Sequence, residues 1–287
     1  MIVPELAGAS AGELDDLRLA CVGAVGRLLA ATPDVVLVLG TADRTRRHGP
    51  ADRGSLRPYG LDRLLRLGPV CDGAPAGFDA ADGAGGGHGE SAHESPAELP
   101  LSLLVGAWLL DRAGAAGPRR GQSVGTDAPV EECRRIGAEL VEDPAERVAL
   151  LVMGDGSACR GERSPGYDDP RARPYDDRVA AALRAVDGPA LLGLEPALSA
   201  RLRVAGRGPW QVAAAAVLRS GAPWRGALTY YAAPYGVSYF VASWTPEGAA
   251  SWTPEGAAGR AAEGAAGRAA GSAGGPAQAG GPGGMPA

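Results

Sequence analysis

Two short segments of this 287-residue chain place polar side chains directly after apolar runs. Gly40-Thr41-Ala42-Asp43 follows Val35 to Leu39, and Gly154 to Arg160 follows Val148 to Met153. Asp43 and Asp155 thus stand where a strand would end, and Ser157, Cys159 and Arg160 come just after the second. Carboxylates there can hold a metal or move a proton, although turn and capping roles account for them equally well. Ser157 lacks the G-x-S-x-G surroundings of a hydrolase nucleophile. Cys159 has no base placed to activate it, so a structural thiol is the plainer reading. Gly154-x-Gly156-x4-Gly161 lacks the ending of a phosphate-binding loop and the spacing of a dinucleotide fingerprint.

Non-haem iron asks for two histidines and a carboxylate with open coordination positions. The histidines are His48, His88 and His93, and none ends an apolar run. The cysteines Cys21, Cys71, Cys133 and Cys159 form no C-x-x-C pair, which argues against a structural zinc site.

The elements that would carry these residues follow from periodicity. Ser10-Ala-Gly-Glu13 reads as a capping box opening a helix to Ala31. Leu14, Leu17, Cys21, Val25, Leu28 and Leu29 give that helix one apolar face. Val35 to Leu39 and Val148 to Met153 read as strands buried on both sides, as in a parallel sheet. Residues 41–60 read as a polar loop. Leu99 to Ala113, Val130 to Val141, Pro174 to Val186, Pro196 to Val204 and Pro209 to Leu218 read as helices. Ala227 to Tyr231 and Val237 to Ser243 read as the last strands, possible partners in a hairpin. The alternation predicts an α/β fold with a central mixed, mostly parallel sheet flanked by helices on both faces. Ligands of such sheets bind beyond the carboxyl ends of the strands, which is where both polar segments fall.

The predicted domain covers residues 1–244, interrupted by a low-complexity, mobile insert at 72–98. Thr245 to Ala287 is rich in Ala, Gly and Pro and is expected to be disordered. Across this boundary, Ala242-Ser-Trp-Thr-Pro-Glu-Gly-Ala249 recurs as residues 250–257, a repeat too short and polar to stack a core.

Hydrophobic residues are 45% and charged residues 21%, a globular balance. The net charge of −5 argues against a nucleic-acid partner. One local exception runs from Arg44 to Arg66 through Arg46, Arg47, Arg53, Arg57 and Arg63; it could hold an anion, though charge runs are usually solvated. The chain contains no lysine and no asparagine, which points to a GC-rich genome. No segment has the roughly 20 apolar residues a membrane span needs, and no signal peptide is evident, so the expected location is cytoplasmic.

Several stretches, in order, resemble one actinobacterial branch of the LigB-like class III extradiol dioxygenases. They are Gly54-Ser-Leu-Arg-Pro-Tyr-Gly60, Leu99 to Leu110, Ala149-Leu-Leu-Val-Met-Gly-Asp-Gly-Ser-Ala158, Ser164-Pro-Gly-Tyr-Asp-Asp-Pro170, Ala205-Gly-Arg-Gly-Pro-Trp-Gln-Val212 and Ala233-Pro-Tyr-Gly-Val237. The Ala205 stretch is also similar to the Memo-like proteins. The resemblance covers about residues 3–244.

The resemblance implies a sheet with a pocket at one end. In active members, two histidines and a glutamate hold iron(II), and a further histidine moves protons. Here those positions fall before Val3-Pro4-Glu5, at Thr41 to Asp43, near Trp210 and Gln211, and at Cys159 and Arg160. None of the positions within the chain is histidine or glutamate. The expectation is therefore a divergent member that has lost the iron ligands and binds a small molecule. Its pocket would be lined by Thr41, Asp43, Asp155, Ser157, Arg160, Arg207 and Gln211. Arg160 and Arg207 suggest an anionic ligand, unless Arg207 serves an ion pair. An active iron(II) oxidoreductase with other ligands, or a non-catalytic subunit completing a partner's site, remain as alternatives. The resemblance also implies an apolar strand upstream of Met1.

Overall fold

The computed structural model describes residues 2–7, 12–69, 97–143 and 145–248. Its helices are α1 (Pro4–Ala7), α2 (Asp15–Ala30), α3 (Leu101–Arg112), α4 (Val130–Glu139), α5 (Ala172–Ala185), α6 (Gly188–Leu192), α7 (Pro196–Arg201) and α8 (Arg207–Ser220). Its strands are β1 (Val35–Ala42), β2 (Arg46–His48), β3 (Arg53–Ser55), β4 (Leu64–Arg66), β5 (Arg119–Gly125), β6 (Val148–Val152), β7 (Trp224–Ala232) and β8 (Tyr239–Pro246). The described residues all belong to one compact unit, Met1–Gly248.

The run from Val35 to Leu39 is buried on both sides because it becomes the centre of the main sheet. β1 pairs in parallel with β5 and with β6, and β2 closes the β5 edge antiparallel, giving the order β2-β5-β1-β6. The sheet is mixed and mostly parallel. Alternation along β1 divides the core. Val36 and Val38 pack with Val25 of α2 and with Leu103 and Leu110 of α3. Leu37 and Leu39 point the other way, to Cys133 and Ile136 of α4 and Val212 and Ala213 of α8. Helices therefore cover both faces, as the period-two burial requires. On the second face α4 and α8 lie very close, since a side chain at Gly137 would run into Val212 O and Ala215.

Several expectations change in detail. Residues 41–60 are not simply a loop: they contain β2 and β3, and β3 pairs with β4. The polar β5 and the short α6 were not legible from apolar periodicity. α2 keeps the expected face, with Leu14, Leu17 and Val25 buried. It starts at Asp15, however, and its N-cap, Leu14, makes no side-chain capping bond. Ser10 lies outside the described residues, and Glu13 instead accepts a hydrogen bond from Tyr235 Oη at 2.5 Å.

β7 and β8 form the antiparallel hairpin, which runs further than the sequence suggested. Thr245 and Pro246 pair with Arg225 and Trp224, and Glu247 N donates to Pro223 O, so the ordered chain extends beyond Trp244. Ala97 and Glu98 are also ordered: Ala97 is buried and Glu98 bridges to Arg53. The rest of the 72–98 insert and residues 249–287 lie outside the described residues. Among the described residues no helix is long and apolar enough to cross a membrane.

Candidate functional site

The carboxyl ends of β1, β5 and β6 meet the first turn of α8. Thr126 N, just past β5, donates to Ala42 O, and Gly206 N, just before α8, donates to Asp155 O at 2.8 Å. Gly154 and Gly206 touch so closely that a β-carbon on Gly154 would strike the Gly206 backbone. Glycine is needed there because two main chains meet. Thr41 Oγ1 donates to Val124 O at 3.3 Å, and Thr41 O accepts from Ser102 Oγ at 2.7 Å. Asp43 is exposed on the following loop.

Past β6 the chain turns toward the hairpin. Gly156 N donates to Ser238 O and Ser238 N donates to Ser157 O, two antiparallel bonds that join this turn to the start of β8. Beneath them lies Asp176 of α5, with no exposed surface. Its Oδ1 accepts from Ser157 N at 2.9 Å. Its Oδ2 accepts from Ser157 Oγ at 2.5 Å and Ser238 Oγ at 2.6 Å. Arg160 Nη1 lies 3.5 Å from the same oxygen, and also reaches Tyr231 Oη and Ser238 Oγ at 3.2 Å each. Tyr231 Oη in turn donates to Asp177 at 2.6 Å. Burial together with the Asp177 hydrogen bond pushes the Tyr231 phenol up to about 12.

Ser157 and Arg160 were expected to face a ligand; instead they face Asp176. A buried carboxylate is tolerable only when donors surround it, and here the sheet-end turn supplies them. Arg207 and Gln211 are likewise turned inward. Arg207 donates to Gln211 Oε1 at 3.0 Å and to Thr126 O at 2.9 Å. Gln211 Nε2 donates to Leu192 O and Leu194 O at 3.2 and 3.1 Å. Arg207 forms no ion pair with a carboxylate among the described residues. It ties α8 to the β5 loop through neutral acceptors.

Asp155 is the exception. Its side chain is exposed to water. Among the described residues nothing donates a hydrogen bond to its carboxyl. Burial nevertheless pushes this carboxyl up to about 6, against a smaller lowering pull from the chain's α-amino charge. The carboxyl is open to water, and the neighbouring protein raises its pKa by crowding out part of its hydration. Its exposure leaves it partly screened. Cys21 of α2 and Tyr239 of β8 lie near enough to feel its charge. Burial drives the Cys21 thiol up to about 12, and the Asp155 charge adds to the rise. Tyr239 is raised by the same two causes. Ile2, Ala24 and Tyr230 pack with them around Leu14, Leu17 and Val241.

His48 stands apart on β2. It is buried, with Nδ1 3.1 Å from Asp52 Oδ2 and Nε2 3.2 Å from Ser123 Oγ. Both ring nitrogens are engaged, so neither can ligate a metal without breaking this contact. His88 and His93 lie outside the described residues. Among the described residues no three His, Cys, Asp or Glu side chains are grouped to hold a metal. Among the described residues the donors do not fit a two-histidine, one-carboxylate iron(II) centre.

Of the arginines from Arg44 to Arg66, Arg47 pairs with Glu139 at 3.0 Å and Arg63 approaches Glu5 at 3.8 Å. Both are surface pairs, and the run reads as a solvated face. Compared with protein-family profiles and with curated proteins, the chain matches none.

Proposed function

We propose that this chain binds a small molecule at the sheet end beside Asp155, on a divergent LigB-like frame that does not use iron(II). The observation that carries the reading is the Asp155 carboxyl. It stands at the carboxyl end of a parallel strand, faces water, and is unpaired by any described donor. Ligands of open α/β sheets bind at this end. A carboxyl with a pKa of about 6 can also gain or lose a proton near neutrality, which suits it to general acid or base work on a bound molecule. The inward turn of Arg160 and Arg207 removes the support for an anionic ligand. The reading places the protein in the cytoplasm, with no nucleic-acid or membrane partner, on the sequence grounds given above.

The test is a fragment screen by NMR on the full chain with 13C-labelled aspartate. We expect Asp155 to titrate near 6 and binding fragments to shift it, with Asp155→Ala abolishing those shifts. An Asp155 that titrates like a free carboxylate, with hits clustering elsewhere, overturns the site. Ring-cleavage product from a catechol with added iron(II) overturns the iron-free reading.

A further inference from the structure

We infer that His48 is a proton-sensitive switch: it moves the hydroxyl hydrogen of Ser123 between its own Nε2 and the carbonyl of Arg44, and so sets how firmly the loop between β1 and β2 is held on β5. Three acceptors compete for one hydrogen. Ser123 Oγ lies 2.9 Å from Arg44 O, 3.3 Å from Arg46 O and 3.2 Å from His48 Nε2. A hydroxyl donates once. Arg46 O is the farthest of the three and already accepts from Gln122 Nε2 at 3.1 Å. The choice is therefore between Arg44 O and the imidazole.

The other partners of the ring decide that choice. Asp52 Oδ2 lies 3.1 Å from Nδ1, and Oδ1 of the same carboxylate accepts from Ala97 N at 3.0 Å. An ionised carboxylate only accepts, so Nδ1 carries a hydrogen in both charge states of the ring. In the neutral ring, Nε2 is a bare acceptor and takes the Ser123 hydrogen, which Arg44 O then lacks. In the charged ring, Nε2 has bound a proton from solvent and donates to Oγ. The hydroxyl must turn, and its hydrogen goes to Arg44 O. One proton enters, and one hydrogen bond changes hands.

The order Ser123, His48, Asp52 is also that of a nucleophile, a base and its orienting carboxylate. Ser123 is only 1% exposed, however, so no substrate reaches it. What the ring can move is the loop. Arg44 O is tied to β5 through Ser123, and Thr45 Oγ1 accepts from Gly125 N at 3.1 Å, so two adjacent residues fasten the loop to this strand. Asp43 stands exposed on the same loop, at the carboxyl end of β1. Charging His48 strengthens the first fastening and leaves the second untouched.

His48 and Asp52 are both buried. Burial lowers the imidazole most, Asp52 holds it up, and Arg46 lowers it further, so the ring charges below the ordinary histidine range. Asp52 and Arg46 are the charged groups that act on it. β5 offers Gly121 and Ser123, while Leu67 just past β4 and Leu103 of α3 close on Gly121; none of these titrates.

The test is NMR on the full chain, with 15N-labelled histidine assigned through His48→Gln. Arginine labelled at its carbonyl carbon and 15N-threonine pick out Arg44-Thr45, the only Arg-Thr pair in the chain. At neutral pH we expect His48 to carry its hydrogen on Nδ1 alone. On acidification Nε2 should gain a proton, and the Arg44 carbonyl resonance should shift with the same midpoint. Ser123→Ala should abolish the carbonyl shift while His48 still titrates, and Ser123→Thr, which keeps the hydroxyl, should retain it. A neutral ring with its hydrogen on Nε2 overturns the inference. So does a His48 that stays neutral for as long as the chain is folded, an Arg44 carbonyl that is flat through the titration, or a carbonyl shift that survives in Ser123→Ala. If Ser123→Ala fails to fold, the wild-type tautomer and carbonyl titration decide alone.

Discussion

Asp155 and Asp176 sit on either side of one short turn and meet opposite fates. Asp176 is sealed in, and donors from Ser157, Ser238 and Arg160 surround it. Asp155, two residues before Ser157, faces water with no described donor. A sealed carboxylate with a full set of hydrogen bonds holds structure together; one left open and desolvated is free to meet something else. Satisfaction therefore separates scaffold from site more sharply than residue type does.

The strongest way to break that contrast is to remove each acid in turn. Asp176→Ala leaves the Ser157 amide, two hydroxyls and a guanidinium without their acceptor, and should cost about 3–5 kcal/mol in a denaturant melt. Asp155→Ala should stay within about 0.5 kcal/mol. Similar losses at both sites would erase the distinction. Arg160→Ala should come next, at about 2 kcal/mol, because it removes hydrogen bonds to a buried charge. A loss near zero would return Arg160 to the ligand side of the comparison.

The pH dependence is smaller and reads Asp155 alone. Its pKa of about 6 lies above the ordinary carboxyl value, so the folded state keeps this proton longer than the unfolded state. The stabilising contribution is complete below about pH 4 and is lost as pH rises through the folded pKa. We expect wild type to lose under about 0.5 kcal/mol over that window relative to Asp155→Asn, the effect being reduced by the water that reaches this exposed carboxyl. Parallel curves for the two proteins would mean that the carboxyl is ordinary. Smallest of all is the end of the hairpin. Truncation after Gly248 should leave the melting temperature unchanged, whereas truncation after Trp244 deletes the Arg225–Thr245 and Trp224–Pro246 pairs and should cost somewhat under 1 kcal/mol.

The sheet and most helices were legible because their apolar period is strong. Val35 to Leu39, Val148 to Val152 and the α2 face could hardly be read otherwise. β5 was hidden since Arg119, Arg120, Gln122 and Ser123 make it look like surface. Apart from Arg119 Nε, its buried polar side chains find partners inside the fold: Arg119 Nη1 meets Asp111 at 2.6 Å, Gln122 meets Arg46 O at 3.1 Å, and Ser123 meets Arg44 O at 2.9 Å. Strand-end logic found Asp155, but could not tell which neighbours turn inward. Asp176 was missed because Asp-Asp in a helix suggests a wet face. The available signal was its place in the buried stripe Asp176, Val179, Ala180 and Leu183, at spacings of three and four.

The contact between Gly154 and Gly206 has an optical consequence. Gly206 also lies against the indole of Trp210, close enough that any side chain there would collide with the ring. The Trp210 ring meets Phe240 of β8 edge-on at 5.7 Å. Backbone contact thus links the Asp155 turn to a buried fluorophore with no flexible side chain between them. A variant that keeps Trp210 as its sole tryptophan would carry its own reporter, its emission following any movement of the turn.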